Sequence, residues 1–146
     1  MSETIDLMLD ECILHKPIRI ALAGANSFNV RNVEQLKYAL PTDDAMLVAG
    51  TRKHHRLLLT LDTGTITEKR YPPCTHGGIV QFNKCEVTPE YVMPRLRALK
   101  TLGLISKMLG HFTYIYHDRI KIVTHKETIE RNFRDYKKLR YILRTN

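Results

Sequence analysis

The sequence is poor in cysteine and has no long hydrophobic run, and both shortages exclude whole classes of protein. The three cysteines, Cys12, Cys74 and Cys85, are an odd number and too few for the disulfide framework of a small secreted protein. No segment approaches the roughly 18 apolar residues of a membrane-spanning helix, because Arg19 interrupts the most apolar stretch, residues 18–25. The acidic start also lacks the basic-then-apolar layout of a signal peptide. We therefore expect a cytoplasmic or nucleoid-associated protein in a reducing compartment, with no membrane partner.

Motifs that carry catalysis or bind cofactors are also missing. The sequence contains neither a Gly-x₄-Gly-Lys-Ser/Thr phosphate loop nor a Gly-x-Gly-x-x-Gly dinucleotide loop, and no nucleophile lies beside a general base. Cys74, His76 and Cys85 are three potential zinc ligands, but the paired Cys-x₂-Cys or His-x₃-His spacing of zinc sites is absent. Cys85 also fits the apolar register of its segment, which favours a core position. We expect no enzyme activity, no cofactor and no metal site.

The positive charge is divided unevenly along the 146 residues, whose net charge is +8. Residues 1–50 contain four Lys/Arg and seven Asp/Glu, a net charge of −3. Residues 51–146 contain 19 Lys/Arg and eight Asp/Glu, a net charge of +11. This asymmetry favours a polyanionic partner, nucleic acid first, for the C-terminal two thirds over a role of charge in solubility alone. The acidic N-terminal section is a candidate surface for a protein partner.

Capping residues predict two helices in the N-terminal half. Thr4 would start a helix that Pro17 ends or kinks, and Asn32 would cap a second helix over residues 33–40. The apolar run at residues 18–23 fits either a buried strand or more helix, because periodicity does not separate the two.

A hairpin and a chain break follow. Residues 57–61 and 65–69 flank a turn sequence and fit a β-hairpin, although a helix over the same leucine-rich run competes. The clearest break is Tyr71-Pro72-Pro73. It divides the chain into a predicted N-terminal module, residues 1–73, and a C-terminal module, residues 74–146.

Helix signals become stronger after this break. Ile79, Phe82 and Cys85 have helical spacing. Thr88 followed by Pro89 is typical of a helix start, because the hydroxyl caps an amide and the proline stands where an amide has no partner. The predicted helix ends at a glycine, and its apolar stripe is formed by Val92, Leu96 and Leu99.

The last third of the chain predicts strands and a final helix. Three β-type runs cover residues 104–109, 112–117 and 119–124. Thr124 and Glu127 then have the spacing of a capping box, which predicts a C-terminal helix to about residue 143. Its apolar face fits core packing, or the seam of a homodimer that binds two half-sites.

Residues 87–105 carry a family resemblance. A helix that begins at Thr88 ends in the closure Leu102-Gly103-Leu104-Ile105, and β-type runs follow. In this order the segment 79–124 resembles a winged helix-turn-helix. The resemblance implies an α+β fold with a winged module and a flanking C-terminal helix in the C-terminal half. The N-terminal half would be an α/β module or a second winged-helix-like copy, because similar residues recur 46 positions apart.

The resemblance implies sequence-preferring binding of double-stranded DNA, in which residues 88–102 are the recognition helix and the β-ribbon is the wing. If the apolar stripe faces the core, helix geometry turns Glu90, Arg97 and Thr101 outward. The first turns would meet base edges and the rim would meet phosphates, whereas Pro94 would kink or shorten the helix. The candidate DNA-contacting residues are Thr88, Glu90, Tyr91, Arg95, Arg97, Lys100, Thr101, Lys107 and His111.

The favoured function is a regulator of transcription or replication, and two other functions fit the same sequence. One is a protein-interaction adaptor or inhibitor that docks on a polymerase or other nucleic-acid machinery through the winged scaffold. The other is an RNA-binding module in which aromatic side chains such as Tyr114 and Tyr116 stack on unpaired bases.

Overall fold

A computed structural model describes residues 5–9, 16–24, 28–32, 56–61, 66–83 and 88–144. These residues form one mixed β-sheet of seven strands with helices packed on it. The strands are β1 (Ile5–Leu9), β2 (Phe28–Asn32), β3 (Leu57–Thr60), β4 (Ile79–Phe82), β5 (Phe112–Ile115), β6 (Arg119–Val123) and β7 (Thr128–Asn132).

The order of the strands in the sheet is β2-β1-β3-β4-β5-β6-β7. β1 is parallel to both β2 and β3, and the parallel pairing continues through β4 to β5. β6 is antiparallel to β5, and β7 is antiparallel to β6. Parallel neighbours need a crossover connection, so the chain between β4 and β5 contains a helix rather than a tight turn. β3 and β4, which lie on either side of the Tyr71-Pro72-Pro73 break, are adjacent in this sheet.

The α-helices are α1 (Lys16–Gly24), α2 (Pro89–Thr101) and α3 (Ile105–Met108). Two 3₁₀ helices cover Phe133–Asp135 and Lys137–Arg144. The start of α2 is confirmed: the Thr88 hydroxyl accepts a hydrogen bond from the backbone N–H of Tyr91 at 3.3 Å. Its end is confirmed at Gly103, whose φ of 67° suits glycine. Pro94 lies inside α2 without ending it. Within the described ranges, no helix combines the length and apolar character needed to cross a bilayer.

Apolar side chains cover both faces of the sheet, because successive residues of a strand point to opposite sides. In β1, Leu7 and Leu9 join the larger apolar layer, whereas Met8 joins the smaller one. The larger layer contains Ile18 of α1 and the apolar stripe of α2, so both helices pack on the same face. The smaller layer also contains Ile66 and Tyr71, so the segment before β4 covers the opposite face.

The prediction of a winged helix-turn-helix is wrong. A winged module has a free antiparallel ribbon after its recognition helix, but here β5 lies inside the sheet, parallel to β4 and antiparallel to β6. α2 is a crossover helix whose apolar stripe packs on the sheet. The N-terminal half is not a second copy, because β3 pairs in parallel with β1 and β4. The strand predicted at residues 57–61 is confirmed as β3, but residues 66–69 contain a bend and a turn instead of the second arm of a hairpin.

The predicted C-terminal α-helix is also wrong. Residues 128–132 form the edge strand β7, and the segment that follows is helical only as two 3₁₀ helices, Phe133–Asp135 and Lys137–Arg144. The Thr124 hydroxyl does accept a hydrogen bond from the backbone N–H of Glu127, at 2.9 Å, but this contact closes the β6–β7 turn. A capping contact is local geometry that turns share with helix starts, so it did not determine what came next.

Other local predictions met mixed outcomes. Residues Ile5–Leu9 and Ile79–Phe82 are strands rather than helical, and the run 104–109 contains α3 rather than a strand. The strands predicted at 112–117 and 119–124 are confirmed as β5 and β6. The undecided run at 18–23 is part of α1. The helix predicted at 33–40 and the position of Cys85 lie outside the described residues.

Candidate functional site

Burial separates the nine predicted DNA-contacting residues into two groups. Tyr91 and Arg95 are buried, with exposed fractions of 1% and 0%. Neither can present its side chain to DNA in this fold, which corrects their assignment as DNA-contacting residues. The exposed or half-buried residues are Thr88, Glu90, Arg97, Lys100, Thr101, Lys107 and His111.

Arg95 is held in the interior by backbone carbonyls. Its guanidinium donates to the carbonyl oxygens of Tyr91 at 3.1 Å, His117 at 2.9 Å and Ile142 at 3.4 Å. The guanidinium carbon also lies 3.7 Å from the centroid of the Tyr91 ring. Burial lowers the pKa of Arg95, and the neighbouring Tyr91 phenol opposes that shift. Arg95 therefore joins α2 to the β5–β6 turn and to the C-terminal segment.

The exposed side of α2 has little excess charge. Glu90 and Arg97 are both exposed, so an acid accompanies the arginine. Thr101 uses its hydroxyl to donate to the carbonyl of Arg97 at 3.3 Å, and Lys100 is half-buried. This side of the helix offers a weak attraction for a polyanion.

A dense group of cations lies at the C-terminal end of the described chain. Residues 131–144 contain six Lys/Arg and one acid, Asp135, and all seven of these side chains are exposed. Two exposed tyrosines lie among them, Tyr136 at 37% and Tyr141 at 46% exposure. We call the cations and the tyrosines together the C-terminal basic surface. Its members are Arg131, Arg134, Tyr136, Lys137, Lys138, Arg140, Tyr141 and Arg144.

The 3₁₀ geometry of Lys137–Arg144 determines which of its side chains reach solvent. With three residues per turn, side chains at positions i and i+3 lie on one line along the helix. Leu139 and Ile142 form the buried line. Lys138, Tyr141 and Arg144 form an exposed line. The tyrosine ring therefore lies one turn away from a cation on each side.

Buried contacts fix this segment to the sheet. Phe133, Leu139 and Ile142 belong to the larger apolar layer, with exposed fractions of 0%, 2% and 0%. The Asn132 side chain accepts a hydrogen bond from the backbone N–H of Arg134 at 3.1 Å and caps the first 3₁₀ turn. The cations are thus displayed from an anchored backbone, which limits the ordering cost of binding.

Acidic partners are scarce on the C-terminal basic surface. The nearby Arg119 is paired, with Asp118 at 3.0 Å and Glu130 at 3.2 Å. In the part of the chain that the structure describes, no cation of the surface forms an ion pair. Arg140, for example, donates to the backbone carbonyl of Arg134 at 3.1 Å. The surface therefore has an uncompensated positive potential.

This surface was not predicted from the sequence, because the apolar periodicity was interpreted as an α-helix whose basic residues simply face solvent. The signal that could have found it is the interleaving of aromatic and basic residues over positions 136–144. Cations that simply solvate a helix do not require exposed tyrosines between them.

His111, one of the predicted DNA-contacting residues, lies beside Cys74 and His125. His76, which the sequence grouped with Cys74, does not belong to this cluster. Its Nδ1 atom accepts a hydrogen bond from the Gly78 N–H at 3.1 Å. Cys85, the third residue of the zinc set considered from sequence, lies outside the described residues.

Two other partner surfaces were predicted, a homodimer seam at the C-terminus and an acidic N-terminal surface for a protein partner. The apolar face predicted as a possible dimer seam is not free, because three of its residues, Phe133, Leu139 and Ile142, are buried in the core. Of the seven acids in residues 1–50, only Asp6 lies among the described positions.

Comparisons with protein families, with curated proteins and with solved structures found no match to this chain. What the protein binds must therefore be argued from its own surfaces.

Proposed function

We propose that this chain binds single-stranded nucleic acid through the C-terminal basic surface. The observation that carries the proposal is the anchored segment with six exposed cations, one acid and two exposed tyrosines. Lysine and arginine side chains that neutralise phosphates release counterions, which favours binding. Tyrosine faces stack on unpaired bases with little regard to sequence.

The exposed tyrosines favour a single strand over a duplex. In a duplex the bases are already stacked on one another, and their edges are read by an element that enters a groove. The exposed side of α2 carries Glu90 as well as Arg97, and the strand that follows it lies inside the sheet instead of forming a free wing, so groove reading by residues 88–102 has little support in this fold. Tyr141, in contrast, has an exposed ring between Lys138 and Arg144 on the same line. Single strands are exposed during transcription and replication, the processes expected from the sequence.

The test is a titration of the full chain with a labelled oligonucleotide of about 20 nucleotides and with a duplex of equal length, followed by fluorescence anisotropy at two salt concentrations. We expect tighter binding of the single strand, and affinity that falls steeply with salt. Replacing Lys138 and Arg140 together by glutamine should reduce the slope of log affinity against log salt by roughly 1.4, about 0.7 for each lost phosphate contact on a single strand.

A charge-matched control is available on the other side of the sheet. Lys69 and Arg70 are exposed and lie in the segment that covers the smaller apolar layer. Replacing both by glutamine removes the same charge and should leave the slope unchanged. An equal reduction in both double variants would mean that net charge alone drives binding, and it would reject this surface.

The tyrosines separate the single-strand proposal from duplex binding in the same titration. Tyr141→Leu should weaken single-strand binding by about five- to more than a hundredfold, since stacking contributes about 1–3 kcal/mol per base. Tyr141→Phe should keep the affinity, because the ring remains. Equal affinity of Tyr141→Leu and the unmodified chain, with tighter binding of the duplex, would contradict the proposal.

A further inference from the structure

We propose that Cys74, His111 and His125 form a binding site for Zn²⁺. One ligand atom from each residue, the cysteine sulfur and an imidazole nitrogen of each histidine, lies within 4.8 Å of the other two. Nε2 of His111 and Nδ1 of His125 are 3.0 Å apart. Two nitrogen ligands of a tetrahedral zinc ion with bonds of about 2.0–2.1 Å are roughly 3.3 Å apart, so small side-chain shifts suffice to admit the ion.

The sheet register brings the three residues to one end of the sheet. Ile79 of β4 pairs with Phe112 of β5, so the residues that precede these parallel strands lie side by side. Phe112 also pairs with Val123, so the turn after β6 lies beside the start of β5. Residues 37 and 14 positions apart in sequence thereby become neighbours.

The ring of His111 is oriented and protonated in the way that zinc-binding histidines are. Its Nδ1 atom donates to the backbone carbonyl of Lys107 at 2.8 Å, because a carbonyl oxygen can only accept. The proton is therefore on Nδ1, and the lone pair of the neutral ring is on Nε2, which faces His125. A carbonyl partner on the far nitrogen is the usual means by which a metal-binding histidine is oriented.

Cys74 is placed by an unusual backbone. Its φ is 68°, a left-handed conformation that non-glycine residues rarely adopt and that often marks a functional position. Its N–H donates to the carbonyl of Gly110 at 2.7 Å, and the Gly110 N–H donates to Gly77 at 3.0 Å. These bonds tie the segment of Cys74 to the residue that precedes His111.

Glycine is required where the two segments touch. A Cβ atom on Gly78 would lie 2.7 Å from the carbonyl oxygen of Met108 and would also collide with the Leu57 side chain. The close approach of these backbones, and with it the distance between Cys74 and His111, depends on the missing side chain.

His125 is displayed by the tight turn between β6 and β7. The Thr124 hydroxyl accepts hydrogen bonds from the N–H groups of Lys126 at 3.2 Å and Glu127 at 2.9 Å, which closes the turn around His125. The two imidazole rings are stacked, with centroids 5.3 Å apart. Because His125 is exposed, its replacement should not disturb the core.

The donor set favours Zn²⁺ over the hard cations. One thiolate and two imidazoles suit Zn²⁺, whereas the hard cations Mg²⁺ and Ca²⁺ prefer oxygen ligands. Binding converts the Cys74 thiol to a thiolate and releases its proton to solvent. Three protein ligands leave the fourth tetrahedral position for water or another small ligand.

The test measures metal binding by the full, reduced chain. We expect one equivalent of Zn²⁺ to bind in competition with a chromophoric chelator, and one equivalent of Co²⁺ to give thiolate-to-cobalt charge-transfer absorption. His125→Gln and Cys74→Ser should each weaken Zn²⁺ binding by more than about a hundredfold, because even the loss of a partner behind a ligand costs about 10–100-fold. Added Zn²⁺ should raise the thermal unfolding midpoint of the unmodified chain but not that of His125→Gln.

Two matched variants control the test. Cys85→Ser removes the cysteine that sequence spacing grouped with Cys74, and His117→Gln removes an exposed histidine on the β5–β6 turn, at the other end of β6. Both should bind Zn²⁺ like the unmodified chain. Circular dichroism of each metal-free variant establishes that it is folded. Absence of the charge-transfer band, unchanged affinity in His125→Gln, or loss of affinity in Cys85→Ser would each overturn the proposal.

Discussion

Arg95 carries a charge into the interior and has no carboxylate partner among the described residues. Burying a charge is costly unless hydrogen bonds replace its hydration. The planar guanidinium supplies those bonds by reaching carbonyls of α2, of the β5–β6 turn and of the C-terminal segment at Ile142. At the scale of the residue, then, Arg95 supports the C-terminal basic surface from beneath without contacting a ligand.

This role predicts that Arg95→Lys lowers the free energy of unfolding more than Arg95→Met does. Arg95→Met removes the charge along with the donors and should cost about 1–3 kcal/mol for the lost hydrogen bonds of the charged guanidinium. Arg95→Lys keeps a buried charge but cannot form the fork, and should cost more, about 3–5 kcal/mol. Urea unfolding of both variants measures the free energies of unfolding. A smaller cost for Arg95→Lys would show that the charge itself, and not the fork geometry, stabilises the fold.

Tyr114 predicts a loss of stability at alkaline pH. Its hydroxyl donates to the Glu68 carboxylate, and burial, with a contribution from that carboxylate, raises its pKa. The unfolded phenol loses its proton near pH 10, before the folded one does, so stability falls as pH rises from about 10. Tyr114→Phe should cost about 1 kcal/mol at neutral pH, since the site is partly exposed.

The difference in free energy of unfolding between the unmodified chain and Tyr114→Phe should then shrink above pH 10, because the phenylalanine variant has no proton to lose at this position. Urea unfolding of both proteins at pH values on either side of 10 measures this convergence. A constant difference across that range would show that the hydrogen bond does not depend on the protonated phenol.

At the scale of the element, the two ends of α2 were predicted from the sequence, whereas the pairing of the strands was not. Thr88 and Gly103 determine the two ends of α2 through contacts within a few residues, and both were predicted. Parallel strands are harder to predict because they are buried on both faces and form continuous apolar runs that do not alternate. The strand at Leu57–Thr60 was predicted, but its parallel pairing was not, and the fully buried run Ile79–Phe82 was wrongly given helical spacing.

The α-helix predicted for the C-terminal segment was wrong for another reason. Phe133, Tyr136, Leu139 and Ile142 are spaced by three residues throughout, which is the period of a 3₁₀ helix rather than of an α-helix.

The zinc ligands could not be assigned from sequence, because Cys74, His111 and His125 meet only through the register of β4, β5 and β6. The charge asymmetry, in contrast, was visible from composition alone.

At the scale of the whole molecule, the sheet joins the two halves that the proline-rich break separates. β3 pairs with β4 across this break, and one apolar layer contains Leu7 and Leu59 from the first half with Leu96 and Ile122 from the second. Two modules with separate cores would show no such mixing. The division at residue 73 remains a prediction from sequence, and the shared layer favours the opposite outcome.

We therefore expect a single cooperative unfolding transition. Urea curves followed by far-ultraviolet circular dichroism and by tyrosine fluorescence should coincide, because β-pairing and core packing would be lost together. The excised fragment 74–146 should not fold, since it would expose the edge of β4 that pairs with β3 and would lose the apolar side chains that β1 and β3 contribute to the shared layer. Two separate transitions, or a fragment with a native-like spectrum and cooperative melting, would instead establish two independent modules.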